Sequence, residues 1–227
     1  MNKFIIWGAK GHALVLEEIV RHQGGKVVAL FETAPSGDTL IKDTEIYIGL
    51  AAYQAWIQEH KDIEDINAIA AVGGSRGSDR REFLRMFRDS GFKTPTLVHP
   101  SAVVSTSAVI GENCHILAGA VVAPMARLGE ACIVNTGATV DHECVLEAGT
   151  HIAPGATLCG CVTIGENSLI GAGSVVLPRT KIGSNVIVGA GSVVTRDIGD
   201  NVVAYGNPAR IVRKTDQAGK PLKKDSK

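Results

Sequence analysis

Residues 152–170 read IAPGATLCGCVTIGENSLI. Ile152, Leu158, Ile164 and Ile170 stand six residues apart, and the spacing continues without a gap from Val98 to Val194. Four residues after each aliphatic stands a small residue, from Ala102, Ala108 and Cys114 through to Val186 and Ser192. A period of six is neither the helical period of about 3.6 nor the alternation of a strand. It is the pattern of a hexapeptide β-helix, in which short strands wind into coils, the aliphatic residue points inward and the small residue fills the corner. Three hexapeptides per coil give an 18-residue repeat and about five coils.

Composition agrees with that reading. The chain has 227 residues, 45% of them hydrophobic but only 4% aromatic, as a narrow β-helical interior requires. The formal net charge of zero argues against nucleic-acid binding driven by bulk charge. No apolar run is long enough to span a membrane, and the apolar segment of MNKFIIWGAKGH is too short for a signal peptide. The expectation is a cytoplasmic protein without a membrane partner. Cys114, Cys132 and Cys144 occupy small inward positions and read as buried hydrophobes. Cys159 and Cys161 are one residue apart with no second pair to complete a zinc site, so no metal is expected.

Residues 1–95 have another rhythm. Lys3–Trp7, Val27–Phe31, Glu45–Ile48 and Ile66–Val72 read as strands. Helical patterns alternate with them through Leu14–Val20, Leu50–Glu59 and Asp79–Ser90, the last with Ser78 as its cap. Alternation of this kind implies a parallel sheet with crossover helices, a small Rossmann-like domain. Such sheets bind ligands at the carboxyl ends of their strands, which here carry Gly8–His12, Glu32 and Gly73–Arg76. Glycines let a phosphate approach the backbone at a helix N-terminus, and Glu32 can accept a ribose or base hydrogen bond. The full G-x-G-x-x-G fingerprint is absent, and a tight turn that needs glycine for packing explains Gly8-x-x-Gly11 equally well. The expected organisation is an α/β domain over 1–95, an all-β helix over 96–210 and a mobile basic tail over 211–227.

Stacked in steps of 18, the turn residues sort into three columns. The third residue after each aliphatic needs positive φ, which favours Gly or Asn. One column is Gly119, Gly137, Gly155, Gly173 and Gly191; a second is Asn113, Ala131, Gly149, Asn167 and Asn185. The third departs from the rule: Ser107, Met125, Glu143, Cys161, Arg179. Departures from local rules concentrate at functional positions. His142 precedes Glu143 on this corner, with Pro124 and Gly160 below and above it, leaving room for a slender ligand. A neutral imidazole beside a carboxylate, Glu143 or Asp141, suits a general base. The alternative is a surface histidine that fills a turn. A further column, Leu97, His115, Ile133, His151, Leu169 and Ile187, should face outward yet is mostly apolar. That stripe is expected to be a contact surface of a closed homo-oligomer, with His151 at the groove between subunits.

These residues carry a family resemblance. The hexapeptide array, the His-Pro-Ser-Ala opening at His99–Ala102, the Asn135-Thr136 and Asp141-His142-Glu143-Cys144 strings and the Gly206–Arg210 exit resemble the bacterial sugar acetyltransferases of the left-handed β-helix class. The N-terminal Gly8-Ala9-Lys10-Gly11-His12 narrows the resemblance to the subfamily with a Rossmann-like nucleotide-sugar domain: bacillosamine and perosamine N-acetyltransferases and sialic acid O-acetyltransferases. The resemblance implies a left-handed parallel β-helix and a homotrimer with acetyl-CoA between adjacent copies. It implies His142 as base, Glu143 as its carboxylate partner, and His151 as the contact to the thioester carbonyl. Cofactor contacts fall near Gly160, Ala172 and Ala190, and nucleotide-sugar contacts on Lys10, Gly11, His12 and Gly73, with Glu32 and Asn135 grouped with them. The pair Glu32-Thr33 departs from the paired acidic residues common in the family.

The implied reaction is direct acetyl transfer from acetyl-CoA to the amine of a nucleotide-linked amino-deoxy sugar, in surface-glycan biosynthesis. O-acetylation of a sialic-acid-like sugar is the nearest alternative. A γ-type carbonic anhydrase would need His115, His142 and His151 to converge on zinc. A non-catalytic trimeric scaffold would bind no CoA.

Overall fold

The structure, a computed structural model, describes residues 2–35, 41–42 and 44–216. Four parallel strands, β1 (Lys3–Trp7), β2 (Lys26–Glu32), β3 (Ile46–Ile48) and β4 (Ile66–Ala70), form a sheet in the order β3-β2-β1-β4. Helices α1 (Gly11–His22), α2 (Gly49–Glu59) and α3 (Gly77–Asp89) cross between and after them. The core on one side of the sheet is aliphatic and built on Leu16, Ile19 and Val20 of α1; the other is aromatic, with Trp7, Phe31, Tyr53, Trp56 and Phe87. Helix α3 begins at Gly77, two residues before the expected start, so Ser78 lies inside its first turn and caps nothing.

From Leu97 onward the chain is a left-handed parallel β-helix of two-residue strands. Its first face stacks Leu97–Val98, His115–Ile116, Ile133–Val134, His151–Ile152, Leu169–Ile170 and Ile187–Val188, all in step 18. The second face runs from Val103–Val104 to Val193–Val194, and the third from Val109–Ile110 to Lys181–Ile182. The inward aliphatics form one continuous buried column. The small inward residues do more than fill corners. Cys114, Cys132 and Cys144 donate their thiols to Gly129, Glu147 and Cys159 carbonyls of the next coil, and Ser168 and Ser174 bond Gly183 and Gly189 in the same way. The cysteine positions are thus rungs of a ladder that serine also fills.

Two corner columns are left-handed throughout, and on the odd corner Met125, Glu143, Cys161 and Arg179 join them with φ of 58–62°, leaving only Ser107 outside that region. At those four positions the odd corner therefore obeys the same geometry as the others and accepts the strain of non-glycine residues there, on the order of 1–2 kcal/mol each.

The outward apolar stripe of the first face is not an inter-subunit surface over its first four rungs. Leu97, His115 and Ile133 are fully buried and His151 nearly so, because the N-terminal domain of the same chain covers them. Leu97 and Leu117 join the aliphatic core under α1. Arg80 of α3 is completely buried and donates to the carbonyls of Val72, Ala131 and Gly149, one from the N-terminal domain and two from a β-helix corner. Gly77 sits so close to Gly149 that a Cβ would strike the Gly149 carbonyl. Asn113, on the same corner, completes the open edge of β4, accepting from Ala70 N and donating to Ala68 O. Around this contact lie the ion pairs Arg81–Glu166, Arg88–Glu112 and Arg88–Glu130.

The expected mobile tail from residue 211 is, in part, ordered. Ala209–Lys214 forms a strand antiparallel to Val202–Gly206, and Thr215 Oγ1 donates to Asn185 O at 2.7 Å. The pair closes the last coil; the rest of that segment, 217–227, lies outside the described residues.

Replacing Arg80 by Met leaves three carbonyls without their charged donor. Since bonds to charged groups contribute about 1.5–3 kcal/mol each, urea unfolding should show a loss on the order of 4 kcal/mol. A loss under about 1 kcal/mol, within the range of ordinary surface substitutions, would show that docking does not depend on this side chain.

Candidate functional site

Two polar sites emerge, on different sides of the molecule. The first is a pocket of about 180 Å³ at the carboxyl ends of the sheet strands, lined by Gly8, Lys10, His12, Glu32, Thr33, Gly73 and Arg76 with Trp7 and Phe83. Lys10, His12, Glu32 and Gly73 thus meet as the sequence predicted. Gly11 is the first residue of α1 and does not line the pocket. Glu32 Oε1 accepts the Ala9 amide at 2.7 Å, which fixes the glycine turn against β2 and occupies one carboxylate oxygen. Arg76, expected at this strand end as part of Gly73–Arg76, lines the pocket, and Phe83 is an addition that no motif marked. Arg76 closes on Asp79 at 2.6 Å, and Phe83 stacks on Trp7 with centroids 4.6 Å apart.

Beneath this pocket lies a buried histidine cluster. His12 Nε2 and His115 Nδ1 are 3.1 Å apart. His151 Nδ1 faces the Gly74 carbonyl at 3.1 Å, so Nδ1 carries the proton. Its Nε2 then accepts from Asn135 Nδ2 at 3.0 Å; the Asn135 oxygen is taken by the Thr136 amide. Both ring nitrogens thus have partners within this chain. Asn135 likewise serves His151 and is not part of the pocket lining. Burial, with Arg80 adding repulsion, lowers the pKa of His12 to about 4 and of His151 to about 3. Burial also holds His115 well below its ordinary value, helped by His12 and Arg80. Arg80 itself is brought down by burial to about 10 and keeps its charge.

The second site is the odd corner, between the second and third faces. His142 Nδ1 lies 3.0 Å from Glu143 Oε2, and both side chains are about half exposed or more. A carboxylate only accepts, so Nδ1 donates and the lone pair of the neutral ring is on Nε2. Nε2 and Cε1 lie over Gly160, where a Cβ would collide with the ring. The backbone is tied on every side: His142 N to Asp141 Oδ1 at 2.7 Å, Glu143 N to Pro124 O at 3.0 Å and Cys161 N to His142 O at 2.9 Å. A carboxylate-oriented imidazole with its free nitrogen at the surface can remove a proton from a bound nucleophile. Ala172 and Ala190 are exposed on the corner between the first and second faces, one face away from Gly160. His115 and His151 are buried on the first face and His142 stands at the opposite corner, so the three do not converge on a metal. The odd corner instead holds His142, Glu143 and Cys161, whose donor atoms lie within 4.8 Å of one another.

The buried cluster has a consequence for pH. The three histidines stay neutral in the folded protein down to values well below the usual 6.5, whereas the unfolded chain protonates them near it. Their contribution is intact above about pH 6.5 and is lost as pH falls toward 4, at up to about 1.4 kcal/mol per pH unit for each ring. Urea unfolding at about pH 7 and about pH 5 should show this fall; a stability unchanged between them would mean that the rings are protonated in place.

Comparison with known proteins gives the same picture. A family description, bacterial transferase hexapeptide (six repeats), matches residues 161–196. PerB from Caulobacter crescentus, solved in complex with CoA and GDP-perosamine, is 34% identical over 93% of this chain and 98% of its own, with a TM-score of 0.84. The acetyltransferase domain of PglB from Neisseria gonorrhoeae FA1090, solved with acetyl coenzyme A, is also 34% identical, over 93% and 99%, with a TM-score of 0.82. WeeI from Acinetobacter baumannii AYE shares the fold at 23% identity over 92% and 99%, TM-score 0.81. At this identity over nearly the whole of both chains, the protein belongs to the left-handed β-helix sugar acetyltransferases with an N-terminal Rossmann-like domain, and it is an acetyltransferase.

Proposed function

We propose that this enzyme transfers the acetyl group of acetyl-CoA directly to the amine of a nucleotide-linked amino sugar, with His142 as general base. The observation that carries the base assignment is the His142–Glu143 pair: Nδ1 is held by the carboxylate and Nε2 opens over Gly160. The amine attacks the thioester carbonyl, Nε2 takes the proton, and the thiolate of CoA leaves when the tetrahedral adduct collapses. No covalent enzyme intermediate is required. His151, with both nitrogens committed, is assigned to holding the N-terminal domain in place rather than to the oxyanion. The glycine turn, Lys10, Arg76 and the N-terminus of α1 suit the diphosphate of a nucleotide sugar. PerB was solved with GDP-perosamine and CoA, which supports this substrate class.

The pocket sits on the domain that covers the first face, while His142 stands at the corner opposite that face. We assign the complete site to two copies, the pocket from one and His142 from its neighbour, in a closed homotrimer.

His142→Ala should lower turnover by about 10²–10⁴ with folding unchanged. Gly160→Ala, which drives a methyl group into the imidazole, should lower kcat in the same direction. A wild-type rate for purified His142→Ala with the true acceptor would end the base assignment. For the shared site, Gly73→Trp fills open space in the pocket without backbone strain. Mixing Gly73→Trp and His142→Ala subunits should restore about a quarter of the sites if neighbours combine. No recovery in verified mixed oligomers would place the whole site in one copy. An O-acetyltransferase would acetylate hydroxy sugars and spare amino sugars in the same assay.

A further inference from the structure

We infer that the odd corner is also a zinc-binding site, formed by His142, Glu143 and Cys161, at which Zn²⁺ inhibits the enzyme. Cys161 stands 18 residues after Glu143, so one turn of the β-helix places it on the same corner of the next coil. Its amide is bonded to His142 O at 2.9 Å, which locks the two coils in register at this point. The donors are already gathered: His142 Nδ1 to Glu143 Oε2 is 3.0 Å, Cys161 Sγ to Glu143 Oε2 is 3.8 Å, and one ligand atom from each of the three residues lies within 4.8 Å of the others. Tetrahedral zinc with ligands at about 2.0–2.3 Å needs donor separations of about 3.3–3.8 Å, so only small side-chain rotations are required. Imidazole, carboxylate and thiolate form a donor set suited to zinc, and three protein ligands leave a fourth position for water.

The other cysteines are differently placed. Cys144, just below, is buried with its thiol bonded to a carbonyl, and burial raises its pKa to about 11. Cys161 is partly exposed, and its contact is with the Glu143 carboxylate, which a metal ion would bridge. Binding displaces the thiol proton of Cys161 and the Nδ1 proton of His142, so it breaks the hydrogen bond that orients the base. The inhibition rests on the assignment of His142 as base; the binding site does not.

The experiment uses the full-length protein, zinc alone as the probe, and Cys161→Ser, which replaces the soft ligand with a hydroxyl that can still donate to Glu143. Zinc titration should give one ion per chain for the wild type and at least about tenfold weaker binding for Cys161→Ser. Cobalt in place of zinc should give a thiolate-to-metal charge-transfer band in the wild type only. Zinc should abolish wild-type acetyl transfer, EDTA should restore it, and Cys161→Ser should retain basal activity with inhibition shifted to higher zinc. Equal zinc affinity in the two proteins, or a cobalt complex lacking the thiolate band, overturns the site. Tight Cys161-dependent binding with full activity upholds the site and instead overturns the base assignment of His142.

Discussion

Arg80 brings a full positive charge into a place without water, and three backbone carbonyls receive it. Two of those carbonyls exist in position only because Ala131 and Gly149 turn through left-handed corners of adjacent coils. The third, Val72, ends the segment after β4. One guanidinium thus reads the pitch of the β-helix and the end of the sheet at once, a task that suits its planar fork of donors better than a lysine ammonium. The glycine at 77, the Asn113 bridge to β4 and the shared core at Leu97 and Leu117 all depend on the same approach distance. From it follows the buried histidine cluster, which has no reason to be neutral unless the two halves close over it.

The β-helix was legible because its rule is local. Each six-residue step states where a side chain points, and the structure follows from Val98 to Val194. The His142–Glu143 pair was legible for a related reason: it sits where a column of turn residues stops being Gly or Asn. The covering of the first face was not legible. Leu97, His115, Ile133 and His151 declared themselves apolar or semi-polar and outward, but a stripe states only that something covers it. A helix from residues far earlier in the chain and a second copy leave the same trace. His151 shows the same limit. Its motif position suggested a cofactor contact, while the hydrogen bonds that commit its ring come from Gly74 and Asn135, partners separated from it by 77 and 16 residues. The strand at Ala209–Lys214 was hidden by its charge, since an edge strand that only caps a coil needs few apolar residues.

The two polar sites contrast in electrostatics. His115 and His151 are enclosed, His12 lines the pocket above them, and all three lie near Arg80 and are held neutral. His142 is half exposed, with a carboxylate on one nitrogen and the other lying over Gly160. The same residue type is enclosed in one place and half exposed beside a carboxylate in the other, and its neighbours set that difference.

The step of 18 residues between stacked rungs has a bearing on how such a chain can change length. Adding or deleting a whole coil between Val98 and His142 would lengthen or shorten the prism while leaving every corner facing its original direction. Adding or deleting a single hexapeptide would preserve the aliphatic ladder, yet it would carry His142 a third of a turn around the prism and take later rungs such as His151 from under the N-terminal domain. The aliphatic interior is compatible with length changes in sixes; the direction in which each face and corner points is kept only in eighteens.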